Sequence, residues 1–429
     1  MTLVNERSEA GLYELATPDP ADFDELAAAI HRAYGGFPDP PEVEAMNREI
    51  FEFNRAVVVR HAGRVCATAT VYSLEMTVPG GPRPVAGVGY VSVMPDHRRR
   101  GLMRRMLRHQ LETLHETGAE PVAALNSTEA GIYGRFGYGM ASQVARLTIP
   151  RGARALLPDR PRDPALRVRA TEPALIADLV APCYDANVAG RPGMLRRDAT
   201  WTRRALMDPP EARGGAAPLQ ALVAEDGAGG AGGEGGAGAR GYALYTVLSH
   251  WEDSSPRNIV VVKEIYAVDD AAYAELWAVL LDLDLTATVT AEPRPVDDPV
   301  LAMLADFRRA VPTVRDQLHV RLVDVDRALA SRTYARDVDL VLEVEDPLCP
   351  WNRGRWRLRG GPDGAECRAT GDPADLAVSV RALGSAYLGG VSLRQLASAG
   401  AVAERRAGAL GVAAVAFRHD PAPYCPTIF

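Results

Sequence analysis

Three consecutive arginines, Arg98, Arg99 and Arg100, are followed by Gly101 and then by an apolar helical pattern. The first turn of a helix has unpaired backbone N–H groups and the positive end of the helix dipole, so it attracts anions. The arginines add positive charge there, and Gly101 allows a ligand to approach the backbone closely. This pattern favours a pyrophosphate ligand. The alternative is a solvated basic start of a helix.

The elements around this turn predict a mixed α/β unit. "GVGYVSVM" before the arginines predicts a strand, and Leu102, Met103, Met106, Leu107, Leu111 and Leu114 after them form one apolar helical stripe that ends near Gly118. Upstream, "DPADFDELAAAIHRAY" has helical spacing, and "VCATATVYSLEMTV" predicts a long strand. The segment "PVAALNST" predicts another strand, and "GIYGRFGYG" closes the unit.

The rest of the chain indicates two further units. "LRVRATEPALIADLVAPCYDAN" repeats the strand–helix opening of the first unit, but "KEIYAVDDAAYAELWAVLLDL" stands where the arginine turn would be. The tract "GAGGAGGEGGAGAR" predicts a flexible hairpin loop. From about residue 306, beginning near "HVRLVDVDRALASRTY", the pattern predicts an α+β domain. We therefore predict domains at 1–150, 151–305 and 306–429.

Composition narrows the class of protein. The chain has 429 residues, of which 47% are hydrophobic and 24% charged, and its net charge is −7, which predicts a globular protein of about two to four domains. The negative charge disfavours nucleic acid and mildly favours small cationic partners. No apolar run approaches the roughly 20 residues of a membrane span, and the N-terminus has no signal-peptide core, so we expect a cytoplasmic protein. Five cysteines without a Cys-x-x-Cys pair argue against a zinc site and a disulfide framework.

The spacing Arg98-x-x-Gly101 directly after a strand resembles the acetyl-CoA motif of the GNAT N-acetyltransferases. With "GIYGRFGYG", a repeat that lacks the arginine turn, and a tail that ends in an aromatic residue, nearly the whole chain resembles the Eis (enhanced intracellular survival) family. The resemblance implies two tandem GNAT-like domains, of which the first is catalytic and the second degenerate. It implies a sterol-carrier-protein-like domain after them, and assembly as a homohexamer.

The same resemblance implies the reaction and its residues. Members transfer acetyl from acetyl-CoA to amines, including several positions on aminoglycosides and lysine side chains. Tyr133 matches the general acid of the family, and a phenol with an ordinary pKa of about 10 stays protonated at pH 7. The family uses its C-terminal carboxylate as general base, here that of Phe429. The residues assigned to acetyl-CoA are Ser92, Val93, Met94, Arg98, Arg99, Arg100, Gly101, Leu102, Met103, Arg104, Arg105, Thr128 and Glu129.

The residue types around Tyr133 and Phe429 agree with both catalytic assignments and leave alternatives open. The tail "PAPYCPTIF" has no charged side chain and three prolines, unlike a solvated tail, and burial raises the pKa of a carboxylate and makes it a stronger base. The alternatives are a tail packed on the surface and, for Tyr133, a core tyrosine with a satisfied hydroxyl, a description that suits Tyr138 better.

The resemblance also implies a small-molecule amine as acceptor, and "HRAYGGFPDPPEVE" lies where acceptor loops occur in GNAT enzymes. Phe37, Asp39 and Glu42 could line a pocket for cations, although each is equally well a surface residue. His109 and His115 fall on different faces of their helix without cysteines nearby, so we predict two solvated histidines and no metal. Two other functions stay open: a dedicated acetylase of one metabolite or protein lysine, and a lipid-binding scaffold with vestigial GNAT units.

Overall fold

The computed structural model describes residues 12–36, 38–152, 155–227 and 238–429. The chain forms two compact units. The first contains Met1–Ser142, Gln317–Asp420 and Thr427–Phe429, and the second contains Gln143–Asp316 and Pro421–Pro426. The glycine-rich tract that we predicted as a flexible loop lies mostly outside the described residues, at 228–237.

The first part of the chain alternates strands with helices. Its strands are β1 (Tyr13–Ala16), β2 (Val57–His61), β3 (Arg64–Val78), β4 (Gly81–Val93), β5 (Val122–Asn126) and β6 (Gly139–Met140). Its helices are α1 (Phe23–Tyr34), α2 (Pro41–Ile50), α3 (Leu102–Thr117) and α4 (Ala130–Tyr133).

The middle part repeats this alternation. Its strands are β7 (Gln143–Pro150), β8 (Leu166–Thr171), β9 (Gln220–Asp226), β10 (Ala239–Leu248), β11 (Trp251–Glu252), β12 (Ser255–Pro256), β13 (Asn258–Ala267), β14 (Thr286–Pro295) and β15 (Thr313–Asp316). Its helices are α5 (Ala177–Val188), α6 (Ala199–Ala205), α7 (Asp270–Leu280) and α8 (Pro299–Met303).

The last part has shorter helices. Its strands are β16 (Leu318–Leu322), β17 (Val338–Glu345), β18 (Gly354–Gly361), β19 (Gly364–Ala369), β20 (Leu376–Ser379) and β21 (Val402–Glu404). Its helices are α9 (Val325–Ala330), α10 (Val380–Ala386), α11 (Leu393–Ser398) and α12 (Ala409–Ala416). Among the described helices of the whole chain, none has the length and apolar character that a membrane span requires.

The strands form two seven-stranded sheets with matching topology. The first has the order β1-β2-β3-β4-β5-β16-β6, and the second, written in the matching direction, β8-β9-β10-β13-β14-β7-β15. In each sheet the central pair, β4–β5 or β13–β14, is parallel. A five-stranded sheet, β19-β18-β17-β20-β21, completes the first unit.

Three strands do not follow the domain boundaries that we predicted at 150 and 305. β7 precedes residue 151 but pairs with β14 and β15 of the second sheet. β15 lies after residue 305, in the predicted third domain, but belongs to that second sheet. β16, which we also placed in the third domain, pairs with β5 and β6 and so completes the first sheet. Apolar alternation in a segment does not encode which partner its strand joins.

The first sheet is covered by a helix on each face. On one face Leu26 and Ile30 of α1 pack with Phe51 and Val58. On the other face the apolar stripe of α3, as the sequence predicted, packs on residues such as Val88 and Leu125. The two helices thus pack on the strands whose ends carry the candidate site.

Candidate active site

The arginine turn joins β4 to α3 in a strained conformation. Arg99 has φ 62° and Gly101 has φ 77°, both in the left-handed region. A residue other than glycine in this region costs about 1–3 kcal/mol, a strain that is typical of functional turns. A Cβ at Gly101 would meet no atom within 4 Å, so its backbone conformation, rather than crowding, favours glycine here.

Among the residues that the structure describes, no side chain caps the N-terminus of α3, which leaves its first backbone N–H groups to a ligand. The matching helix of the second unit differs: the Asp269 carboxylate caps α7 by accepting from the Ala272 amide at 3.0 Å. Asp270 adds a second negative charge in that turn. The anion site predicted for the first unit is thus absent from the start of α7.

The neighbouring arginines divide into two groups. Arg98 donates to the carbonyls of Ala33 (3.1 Å) and Val93 (3.4 Å), so its side chain fixes the turn. Arg105 donates to the carbonyl of Tyr13 at 2.7 Å and so braces α3 against β1. Arg99 and Arg104 line a large cavity, which Arg98 lines as well although its guanidinium donates to those two carbonyls. These two arginines are the better placed to meet a phosphate.

This cavity of about 1240 Å³, which we call the cofactor groove, opens where β4 and β5 diverge. The two strands pair at Ala86–Ala123 and Gly87–Ala124, and β4 then continues to Val93 along one side of the groove. The lining residues are Ala33, Tyr34, Val91, Ser92, Val93, His97, Arg98, Arg99, Gly101, Leu102, Met103, Arg104, Thr128, Glu129, Ile132, Tyr133, Arg135, Phe136, Pro347 and Leu348.

Most of the residues that we assigned to acetyl-CoA lie in this lining, whereas Met94, Arg100 and Arg105 do not. Sequence reasoning missed Tyr34, at the end of α1, whose hydroxyl donates to the Val91 carbonyl at 3.2 Å. Sequence reasoning also missed Leu348. The sequence carries no local signal for this residue, because Leu348 lies more than 200 residues after Tyr133.

Tyr133, at the end of α4, lines the cofactor groove and is 8% exposed. Burial, and next the neighbouring Tyr34 and Glu129, raise the pKa of its phenol above the usual range, so the hydroxyl keeps its proton at neutral pH. Tyr138 is a fully buried core residue outside the lining, but its hydroxyl has no hydrogen-bond partner among the described residues, contrary to our expectation.

Phe429, the last residue, is seated on β4. A Cβ at Gly87 would lie 3.0 Å from the Phe429 ring, and one at Gly89 would lie 3.3 Å from the Phe429 main-chain oxygen. These two glycines make room for the terminal residue and also for the side chains of Leu74, beside Gly87, and Tyr72, beside Gly89. The sequence signal was present in "VAGVGYV", where two glycines share one face of a strand.

The terminal carboxyl lies close to an irregularity in the sheet. Thr68 pairs with Ser92 and Thr70 with Gly89, so β4 carries an extra residue, a β-bulge, between these positions. Tyr90 within the bulge has φ 46°. The bulge turns Val91 toward the cofactor groove, directly beside the seat of Phe429.

A second cavity of about 260 Å³, which we call the acceptor cavity, shares Tyr34 with the cofactor groove. Its walls are aromatic and aliphatic, and its polar groups include carboxylates. The lining residues are Phe23, Ala27, Ile30, His31, Tyr34, Gly36, Asp39, Glu44, Asn47, Phe51 and Tyr90. Of our acceptor candidates, Asp39 lies in this lining, Glu42 does not, and Phe37 is outside the described residues.

The two histidines of α3 are not equivalent. The His115 ring stacks on Trp351, with centroids 4.3 Å apart, and its Nδ1 pairs with the buried Asp324. The expectation of a merely solvated His115 was therefore wrong, because its partners come from a distant part of the chain. All five cysteines lie within the described residues, are buried and form no disulfide there.

Family models match three parts of the chain. An acetyltransferase (GNAT) domain matches residues 14–141, and a second acetyltransferase (GNAT) domain matches residues 193–322. A sterol carrier protein domain matches residues 325–426. The predicted fold class, two GNAT-like domains followed by a sterol-carrier-like domain, is confirmed.

Individual relatives agree with these matches over most of their length. An uncharacterized N-acetyltransferase of Streptomyces coelicolor is 44% identical over 94% of this chain and 97% of its own. The N-acetyltransferase Eis of Mycobacterium tuberculosis is 34% identical over 87% of this chain and 88% of its own. The crystal structure of Eis1 from Mycobacterium abscessus is 30% identical with a TM-score of 0.79, covering 97% of this chain and 100% of that one. The chain therefore belongs to the Eis family of acetyltransferases, within the GNAT superfamily.

Proposed function

We propose that this protein transfers acetyl from acetyl-CoA to amines of broad scope, including aminoglycoside-type polyamines and lysine side chains. In this proposal Tyr133 is the general acid and the Phe429 carboxylate is the general base. One observation carries it: the main-chain end of Phe429 lies against Gly89, on the strand that borders the cofactor groove. A cytoplasmic location belongs to the same proposal.

The cofactor groove fits the two parts of the acetyl-CoA molecule that need recognition. The uncapped N-terminus of α3, with Arg99 and Arg104 beside it, suits the pyrophosphate. The edge of β4 that diverges from β5 offers backbone N–H and C=O groups to the amides of the pantetheine arm. Together these contacts would direct the thioester toward Tyr133.

The two catalytic groups would divide the proton transfers. The Phe429 carboxylate accepts a proton from the acceptor ammonium, which frees the nitrogen lone pair to attack the thioester carbon. The C–S bond then breaks, and the Tyr133 hydroxyl donates its proton to the departing thiolate. The nitrogen, which still carries one proton more than an amide, releases that proton to solvent, and the Tyr133 phenolate takes up a proton from solvent. The raised pKa of Tyr133 keeps this donor protonated when the amine is already neutral.

The acceptor cavity has the chemistry that a cationic amine requires. Its Asp39 carboxylate accepts a hydrogen bond from the buried Asn47 side chain at 3.0 Å, and Glu44 adds a second carboxylate. Phe51 and Tyr90 offer aromatic faces, which attract cations. The net charge of −7 acts in the same direction.

A thiol-release assay with acetyl-CoA and a panel of amines tests the proposal. Turnover of aminoglycosides, simple polyamines and lysine peptides would support the broad scope. Turnover of a single amine would favour a dedicated acetylase. No thiol release with any amine would favour a lipid-binding scaffold instead.

Replacement of Arg99 or Arg104 by Ala should raise the KM for acetyl-CoA by about 10- to 150-fold, because a hydrogen bond to a charged group contributes about 1.5–3 kcal/mol. Arg108→Ala is the matched control: Arg108 lies on the same helix but pairs with Glu112 at 2.7 Å outside the groove. Steady-state kinetics at saturating amine measures the effect. An unchanged KM in both variants would place the pyrophosphate elsewhere.

The proposal includes assembly as a homohexamer, as the resemblance to the family implies. Light scattering should then give a mass of about 276 kDa, six times the 46.0-kDa chain. A monodisperse species with the mass of one chain would contradict the hexamer and leave the catalytic proposal untouched.

A further inference from the structure

A buried hydroxyl beside the seat of Phe429 has no role in the mechanism above. Thr70 on β3 is 0% exposed, and its Oγ1 has no hydrogen-bond partner among the described residues. Its neighbour Thr68 differs, because that hydroxyl donates to the Tyr90 carbonyl at 2.7 Å. A hydroxyl that is removed from water without a partner destabilises the folded state. The Thr70 hydroxyl can thus donate and accept hydrogen bonds that no described residue provides.

The register of the sheet places this hydroxyl close to the terminal carboxyl. Thr70 lies directly opposite Gly89 in the antiparallel β3–β4 pair. Residues so opposed point to the same face of the sheet, with Cβ atoms about 4.5–5.5 Å apart. A Cβ at Gly89 would lie 3.3 Å from the Phe429 main-chain oxygen. Because Gly89 has no side chain, nothing from that position separates Thr70 from the carboxyl, and the Tyr72 ring, 3.0 Å from the same Cβ position, forms a wall of this space.

We propose that Thr70 is a positioning residue that holds a water molecule between its hydroxyl and the Phe429 carboxylate, and that this water relays the acceptor's proton. The inference rests on the proposed function, in which that carboxylate is the base. In this step an N–H bond of the acceptor ammonium breaks and its proton joins the water oxygen. A proton of that water passes to the carboxylate, so the water is regenerated and the electron pair stays on nitrogen.

Three polar partners satisfy this water. A buried water molecule typically makes two to four hydrogen bonds, and here the Thr70 hydroxyl, the Phe429 carboxylate and the acceptor nitrogen supply them. The role requires a hydroxyl at residue 70 and no other property of the side chain.

Thr70→Val, which replaces the hydroxyl by a methyl of similar size, should lower kcat about tenfold. The KM for acetyl-CoA should stay unchanged, because Thr70 is outside the lining of the cofactor groove. Thr70→Ser should retain the kcat of the parent protein, since serine keeps the hydroxyl. The matched control is Thr77→Val, the same change at another buried position of β3, which should leave kcat unchanged.

Two outcomes would overturn the inference: a kcat for Thr70→Val equal to that of the parent protein, or an equally low kcat for Thr70→Ser. The melting temperatures of the Thr70 variants and the parent protein distinguish a loss of the proton relay from a loss of the folded structure. If Thr70→Val does not fold, the comparison of Thr70→Ala with Thr70→Ser makes the same decision.

A double-variant experiment distinguishes the role of Thr70 from the proposed role of the Phe429 carboxylate as general base. Thr70→Val should cost almost nothing further in a protein whose Phe429 carboxyl is amidated, because both changes act on one proton transfer. Full activity after amidation alone would overturn both the proposed base and the relay. Loss of activity on amidation, with an additional tenfold loss from Thr70→Val, would overturn the relay alone.

Discussion

Amidation of the terminal carboxyl of Phe429 should lower kcat by about 10²–10⁴-fold, the range expected when a general base is removed. The change replaces one oxygen by nitrogen and leaves the ring packed beside Gly87. An amide is neutral and too weak a base to accept the acceptor's proton. The KM for acetyl-CoA should stay unchanged, since Phe429 is outside the lining of the cofactor groove. Semisynthesis of the C-terminal segment followed by steady-state kinetics measures both constants.

Extension of the chain provides a simpler version of the same experiment. One added residue displaces the carboxylate by about 3.5 Å, which exceeds the hydrogen-bond reach of about 2.6–3.2 Å. A C-terminal tag should therefore inactivate the enzyme, whereas the same tag at the N-terminus should be harmless. Full turnover of the amidated protein would contradict the assignment. The search for the base would then move to Asp39 and Glu44 of the acceptor cavity.

Local patterns were sufficient to predict the helix and the arginine turn that border the cofactor groove. The apolar stripe of α3 and the arginines before it are continuous in sequence, so the helix start and its positive charge follow from neighbouring residues. Which arginines face a ligand does not follow, because Arg98 and Arg105 turn to the carbonyls of Ala33 and Tyr13. Those carbonyls belong to elements that only the folded chain brings close.

The seat of Phe429 shows why the rest could not be predicted from spacing alone. Gly87 and Gly89 indicate that something approaches β4 closely, but two glycines in a strand do not say what. The role of β16 in the first sheet is similar, since pairing between strands almost 200 residues apart leaves no trace in local periodicity. The stacking of His115 on Trp351 also depends on such a distant contact.

Tyr133→Phe should lower kcat by about 10²–10³-fold, because the departing thiolate would lose its proton donor. Phenylalanine keeps the aromatic ring in the wall of the groove, so the KM for acetyl-CoA should change little. Tyr138→Phe is the matched control, because that hydroxyl is buried outside the groove and has no partner among the described residues. Its kcat should equal that of the parent protein. Equal losses in the two variants would show packing rather than proton donation.

The pH dependence of kcat provides a further test, because a loss of packing would not change it in the same way. Burial raises the pKa of Tyr133, and loss of its proton would begin only as the pH approached that raised value. The kcat of the parent protein should therefore rise as the acceptor amine loses its proton and then stay level to about pH 10, the ordinary pKa of a phenol. A fall in kcat centred at or below pH 10, absent from Tyr133→Phe, would show a phenol that titrates as if solvated. Burial of Tyr133 would then not protect the proton that the proposed mechanism assigns to the thiolate.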